Sequence, residues 1–103
     1  MEYREKIDAF KESCRVYLKE KEIAAGLNQE SEELFVRFLK EDIQFVEDTF
    51  EQIRTECGND ARSVVWKLFV DDKTQAEVAY DFGISRRQLQ YSLYNWFHRI
   101  FGN

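Results

Sequence analysis

The chain has 103 residues, a formal net charge of -5, and is 44% hydrophobic and 16% aromatic. Such a length fits one domain with a single core, and so apolar a composition points to a packed core rather than a disordered chain. No run approaches the ~18 consecutive apolar residues of a membrane helix, and the charged start MEYREKIDAFKE lacks the apolar stretch of a secretion signal, so a cytoplasmic location is expected.

There is no proline, and the four glycines are Gly26, Gly58, Gly83 and Gly102. Few breakers suit helices. In the first stretch Tyr3, Ile7, Phe10, Cys14 and Tyr17, with Leu18 beside them, are spaced as one stripe of an α-helix fading near Gly26. A second helix is expected from Gln29 or Ser31 to Cys57, capped by Asn28 or Ser31. Its apolar residues, Leu34, Phe35, Phe38, Leu39, Ile43, Phe45, Val46, Phe50 and Ile53, cover a broad face, as a central bundle helix needs. Gly58 is placed to stop it. Asn59 or Asp60 then caps a third helix with Val64, Val65, Leu68 and Phe69 turned inward.

The fourth helix starts at Thr74, where Thr74 and Glu77 have the S/T-x-x-E spacing of a capping box. Val78, Ala79 and Phe82 form its apolar side, and Gly83 ends it. Ser85 caps the fifth helix, with Leu89, Leu93, Trp96, Phe97 and Ile100 on its inner face. No segment alternates long enough to be a strand. The expectation is an all-α protein of five helices, with an N-terminal helical pair (residues 1–57) and a C-terminal helix-turn-helix region (residues 58–103).

A short helix, the turn Phe82-Gly83-Ile84 and a capped longer helix match a helix-turn-helix. Ala79 lets the second helix cross closely, and Ile84 drops between the two. At 100° per residue from Leu89, the outward positions are Arg87, Tyr91, Tyr94 and His98, with Gln88 and Gln90 on the flanks and Arg86 at the core edge. Arginine and glutamine pair bidentately with guanine and adenine edges. Arg87, Gln88, Gln90 and Tyr91 are therefore the candidates for base contacts. Lys73, Thr74, Ser85 and Arg86 lie at helix starts or edges and are the candidates for phosphates. Charge is divided accordingly. Residues 73–103 hold four basic and two acidic side chains, a local +2, whereas residues 1–72 hold 11 basic and 18 acidic ones.

The stretch VVWKLFVDDKTQAEVAYDFGISRRQLQYSLYNWFHRIF resembles the DNA-binding helix-turn-helix of sigma-70 region 4 and the small sigma-like regulators of bacteria and phages. The resemblance rests on the apolar helix before it, the Asp71-Asp72 link, T-x-x-E-V-A, G-I-S and a long last helix. It covers about residues 60–101 and implies that the fourth helix supports while the fifth, from Arg86 to about Tyr94, enters the major groove of duplex DNA. Nothing resembles the sigma segment that melts promoters, so a transcriptional regulator is expected rather than a full sigma factor.

The competing reading is a protein-interaction module of the same shape, docking on RNA polymerase or another regulator without reading DNA. A single histidine, two cysteines without metal spacing and no glycine-rich phosphate loop argue against an enzyme, a metal or another cofactor. The surplus of apolar surface favours a homodimer, through the N-terminal helices or the aromatic end of the fifth helix.

Overall fold

Five helices follow the five periodic stretches in the computed structural model, which describes residues 2–27 and 33–102. They are α1 (Tyr3–Gly26), α2 (Glu33–Cys57), α3 (Asn59–Phe69), α4 (Gln75–Asp81) and α5 (Arg86–Phe101). Helix accounts for 86% of the described residues, and no strand occurs among them. The fold is all-α. The start of the second helix at Gln29 or Ser31 and its cap by Asn28 or Ser31 lie outside the described residues.

Helices α1 and α2 form an antiparallel hairpin, in which Phe10 meets Phe50 and Glu20 meets Asp42. Phe10 is the hub of the core. It is fully buried, with ring centroids 5.3 Å from Phe50, 5.7 Å from Phe69 and 5.8 Å from Phe101. One aromatic side chain thus ties α1 to α2, α3 and α5. Val46, Ile53, Val65, Val78 and Leu89 complete the layer around it. Cys14 is buried in the same cluster, and burial followed by the nearby Asp42 charge pushes its thiol up to about 12, so it stays protonated. Cys57 is half-buried, and both cysteines are free.

The stripe of α1 is narrower than expected. Tyr17 is buried, but Leu18 is 54% exposed, because one further residue turns it 100° away. The broad face of α2 is also only partly used. Leu39, Val46, Phe50 and Ile53 are buried, whereas Leu34 (77% exposed), Phe38 (69%), Phe35 and Phe45 are not. The residues that α2 gives to the buried core, Val46, Phe50 and Ile53, all lie in its second half. The hairpin accordingly lengthens the molecule to 49 Å against 29 and 21 Å in the other directions.

The junction between α2 and α3 departs from expectation as well. Gly58 alone separates the helices, at φ 104°. Its N–H closes α2 on the Arg54 carbonyl at 3.0 Å, and its own carbonyl accepts the Arg62 N–H at 3.2 Å. Gly58 is therefore the N-cap of α3, and no side chain caps it. Asn59 and Asp60 already stand in the first turn, where the Asp60 charge still suits the helix dipole.

From α3 to α4 the chain turns through Asp72, the one non-glycine residue with positive φ (58°) among those described. Aspartate tolerates this region better than most residues. The turn is held by the Val70 and Asp71 N–H groups on the Trp66 carbonyl and by the Lys73 N–H on the Lys67 carbonyl.

Candidate nucleic-acid interface

Two capping boxes set the helix-turn-helix. The Thr74 hydroxyl accepts from the Glu77 N–H at 3.1 Å, and the Glu77 carboxylate accepts from the Thr74 N–H at 3.0 Å. At α5 the Ser85 hydroxyl accepts from the Gln88 N–H at 3.0 Å, and Gln88 Oε1 accepts from the Ser85 N–H at 2.9 Å. Between them Gly83 adopts φ 66°, and the Ile84 N–H reaches the Ala79 carbonyl at 3.0 Å. Ala79 is buried and Ile84 packs against the core, so the small residue and the apolar turn residue fix how α5 leaves α4. Leu89, Leu93 and Phe97 face inward.

The same geometry occurs twice, but the charge differs. At the start of α4 a carboxylate takes the free amide. Hydrogen bonds from the Thr74 backbone and hydroxyl hold Glu77 below the usual carboxylate range, so it is ionised at neutral pH. At the start of α5 the equivalent acceptor is the neutral amide of Gln88, and Arg86 and Arg87 stand between it and the cap in the first turn. Cations there oppose the helix dipole, at a cost of about 0.3–1 kcal/mol each. From Arg86 to Phe101 no carboxylate occurs.

The eight candidate residues are exposed, and the structure groups them by partner. Arg87, Gln88 and Tyr91 line one shallow groove with Ile84, Ser85 and Ser92. Arg87 has no hydrogen bond or ion pair among the described residues, and the Tyr91 ring is 70% exposed. Gln88 spends its Oε1 on the cap and keeps its Nε2 as a donor. Gln90 lies on the other flank, where its Nε2 donates to Gln75 Oε1 at 2.9 Å. Arg86 Nε donates to the same oxygen at 3.5 Å. Lys73 pairs with Asp81 at 3.9 Å, alongside Lys67 at 3.8 Å. Thr74 is engaged through both its hydroxyl hydrogen and its oxygen by Glu77.

Three residues that the sequence reading passed over join this surface. Gln75 bridges α4 to Arg86 and Gln90 of α5. Lys11 and Arg15 of α1 line a cavity with Lys73 and Gln75, over a floor that includes Phe69, Val70 and Leu93. These donors therefore continue from the α4–α5 edge onto α1. Gln75 directly follows a cap, a position that hints at a role, whereas Lys11 and Arg15 read as ordinary solvated charges until the hairpin folds back.

Comparison with protein-family models, with curated proteins and with solved structures gave no match.

Proposed function

We propose that the protein binds duplex DNA sequence-specifically through α5 and acts as a transcriptional regulator. The observation carrying this reading is the start of α5: a neutral capping box, two arginines placed against the helix dipole, and no carboxylate along the rest of the helix. An external polyanion offsets that cost, and DNA supplies one. Arg87, Gln88, Gln90 and Tyr91 are proposed to face base edges, and Lys73, Ser85 and Arg86 to hold phosphates. Thr74 is left out of the proposed contact set because the Glu77 carboxylate faces the same amide. Gln90 must release Gln75 before its amide can pair in full with adenine.

Selection from random duplex DNA with the purified protein tests the proposal. One sequence is expected to emerge and to bind roughly 1,000-fold or more tighter than random duplex at physiological salt. Failure to enrich any sequence removes it. The second reading, docking on another protein, would then stand on the exposed rings of Tyr80, Tyr91 and Tyr94, since exposed aromatics mark protein interfaces.

A further inference from the structure

The flank of α5 that carries Gln90 continues onto α1. At 100° per residue from Leu89, Gln90, Leu93 and Phe97 fall on one side of α5, and Gln88 and Ser92 on the other. Leu93 and Phe97 belong to the floor of a cavity of about 430 Å³. Its rim carries Lys73 and Gln75 on the α4 side, and Lys11 and Arg15 on α1. Four residues apart, Lys11 and Arg15 are neighbours on one face of that helix. Both are exposed. The Lys11 ammonium lies 5.4 Å from the centre of the Phe69 ring and has no ion pair among the described residues. Arg15 meets Glu12 at 3.5 Å, in a pair whose side chains are 74% and 70% exposed. So solvated a pair contributes little and is readily exchanged. Lys73 shares Asp81 with Lys67. Asp72 is the one carboxylate in the lining itself, against three cations.

We propose that Lys11 and Arg15 hold DNA phosphates, so that α1 is a second contact to the duplex beside α5. The inference rests on the reading of α5 as the helix in the major groove. Groove dimensions then select the occupant of the rim. A helix with its side chains is about 10–12 Å across, and the major groove is about 12 Å wide. A helix lying in it therefore has a phosphate strand along each flank. On the Gln88 flank that strand meets the start of α5. On the Gln90 flank it passes Gln75 and Lys73 and reaches the rim where Lys11 and Arg15 stand. Residues 1–72 carry more acid than base, yet the part of α1 that reaches this rim presents two cations to it. Phosphates offer both of them acceptors at the cost of no buried partner.

Titrations of the full chain on the site that the wild type selects, at about 50 and about 200 mM salt, test the contact. Each lost phosphate contact lowers the salt slope by about 0.9. Lys11→Gln with Arg15→Gln is expected to lower it by about 1.8, so that its deficit against the wild type shrinks roughly 12-fold between the two salts. The selected sequence should not change, because phosphate contacts position without specifying. Lys11→Arg with Arg15→Lys keeps both charges and should bind as the wild type does. Lys21→Gln with Arg54→Gln removes the same charge from exposed positions off the rim, and should leave the slope unchanged. A wild-type slope in the Lys11→Gln, Arg15→Gln protein overturns the α1 contact and leaves the α5 reading standing. An equal loss in the Lys21→Gln, Arg54→Gln protein also overturns it, because net charge would then be the cause. A wild type that selects no sequence removes the α5 reading, and the α1 contact falls with it.

Discussion

Glu20 gives the hairpin a pH-dependent stability that can be worked out from its surroundings. The side chain is 9% exposed, and its Oε2 is buried without a hydrogen-bond partner. Burial first, then the hydrogen bond and charge of Asp42, push its carboxyl up to about 7 from 4.5. Asp42 also accepts from the Ser13 hydroxyl at 2.8 Å, so one carboxylate ties both α1 side chains to α2. A carboxyl with a raised folded-state value binds its proton more tightly folded than unfolded. Its contribution is therefore full below about pH 4.5 and is lost as pH rises through about 7. At 1.36 kcal/mol per pH unit the loss is at most about 3 kcal/mol. Glu20→Gln keeps a donor toward Asp42 and cannot ionise. Urea unfolding of both proteins at pH 4.5 and pH 8, at one protein concentration, isolates the behaviour of the pair, because titrations remote from it cancel in the difference. The variant is expected to match the parent at pH 4.5 and to exceed it at pH 8, by up to about 3 kcal/mol. A difference that does not change with pH refutes the reasoning.

The other predictions concern the helix-turn-helix. Leu89→Ala should cost about 2–5 kcal/mol in chemical denaturation, whereas Tyr91→Ala, two residues on, should stay within about 0.5 kcal/mol; similar costs would mean that the phase of α5 is wrong. At Gly83 an added Cβ would meet nothing within 4 Å, so Gly83→Ala should cost only the roughly 1–2 kcal/mol of a left-handed residue, and a larger loss in the same assay would point to a clash. If α5 reads DNA, Arg87→Ala should cost about 1–3 kcal/mol on a selected site and relax one base pair. Lys73→Ala should weaken all duplexes alike and lower the salt slope by about one; parental binding by both variants would take α5 out of the groove.

Periodicity made the helices readable because a core-facing residue returns every three to four positions. Phe10, Cys14 and Tyr17, or Leu89, Leu93 and Phe97, could not serve any other period and keep one face buried. The same rule overreached at Leu18 and along the first half of α2. An apolar residue in a stripe shows which side a helix can bury, not whether anything lies there to bury it. Phe38 and Phe50 look alike in sequence, but only Phe50 lies where Phe10 and Trp66 close over it. Spacing marks Gly58 as a stop, and it is also a start, because a glycine at positive φ can close one helix on its N–H and open the next on its carbonyl.

The candidate surface was readable wherever it depends on neighbours in the chain. The S/T-x-x-E spacing marks the Thr74–Glu77 box in the sequence, whereas at α5 the sequence marks Ser85 as a cap but not Gln88 as its reciprocal acceptor, although the spacing is the same. The difference between their acceptors carries more weight than their likeness. A carboxylate at Glu77 saturates the start of α4 with negative charge, while the neutral Gln88 leaves the start of α5 to Arg86 and Arg87. The bridge from Gln75 to Arg86 and Gln90 spans 11 and 15 residues and depends on the angle between α4 and α5, which no local pattern encodes. That bridge also separates the proposed contacts physically. Arg87 and Tyr91 point outward without a partner to give up, whereas Gln90 must exchange one hydrogen bond for another. On the proposed reading, specificity should therefore depend more on Arg87 than on Gln90, since Arg87, unlike Gln90, would meet a base edge without giving up a partner.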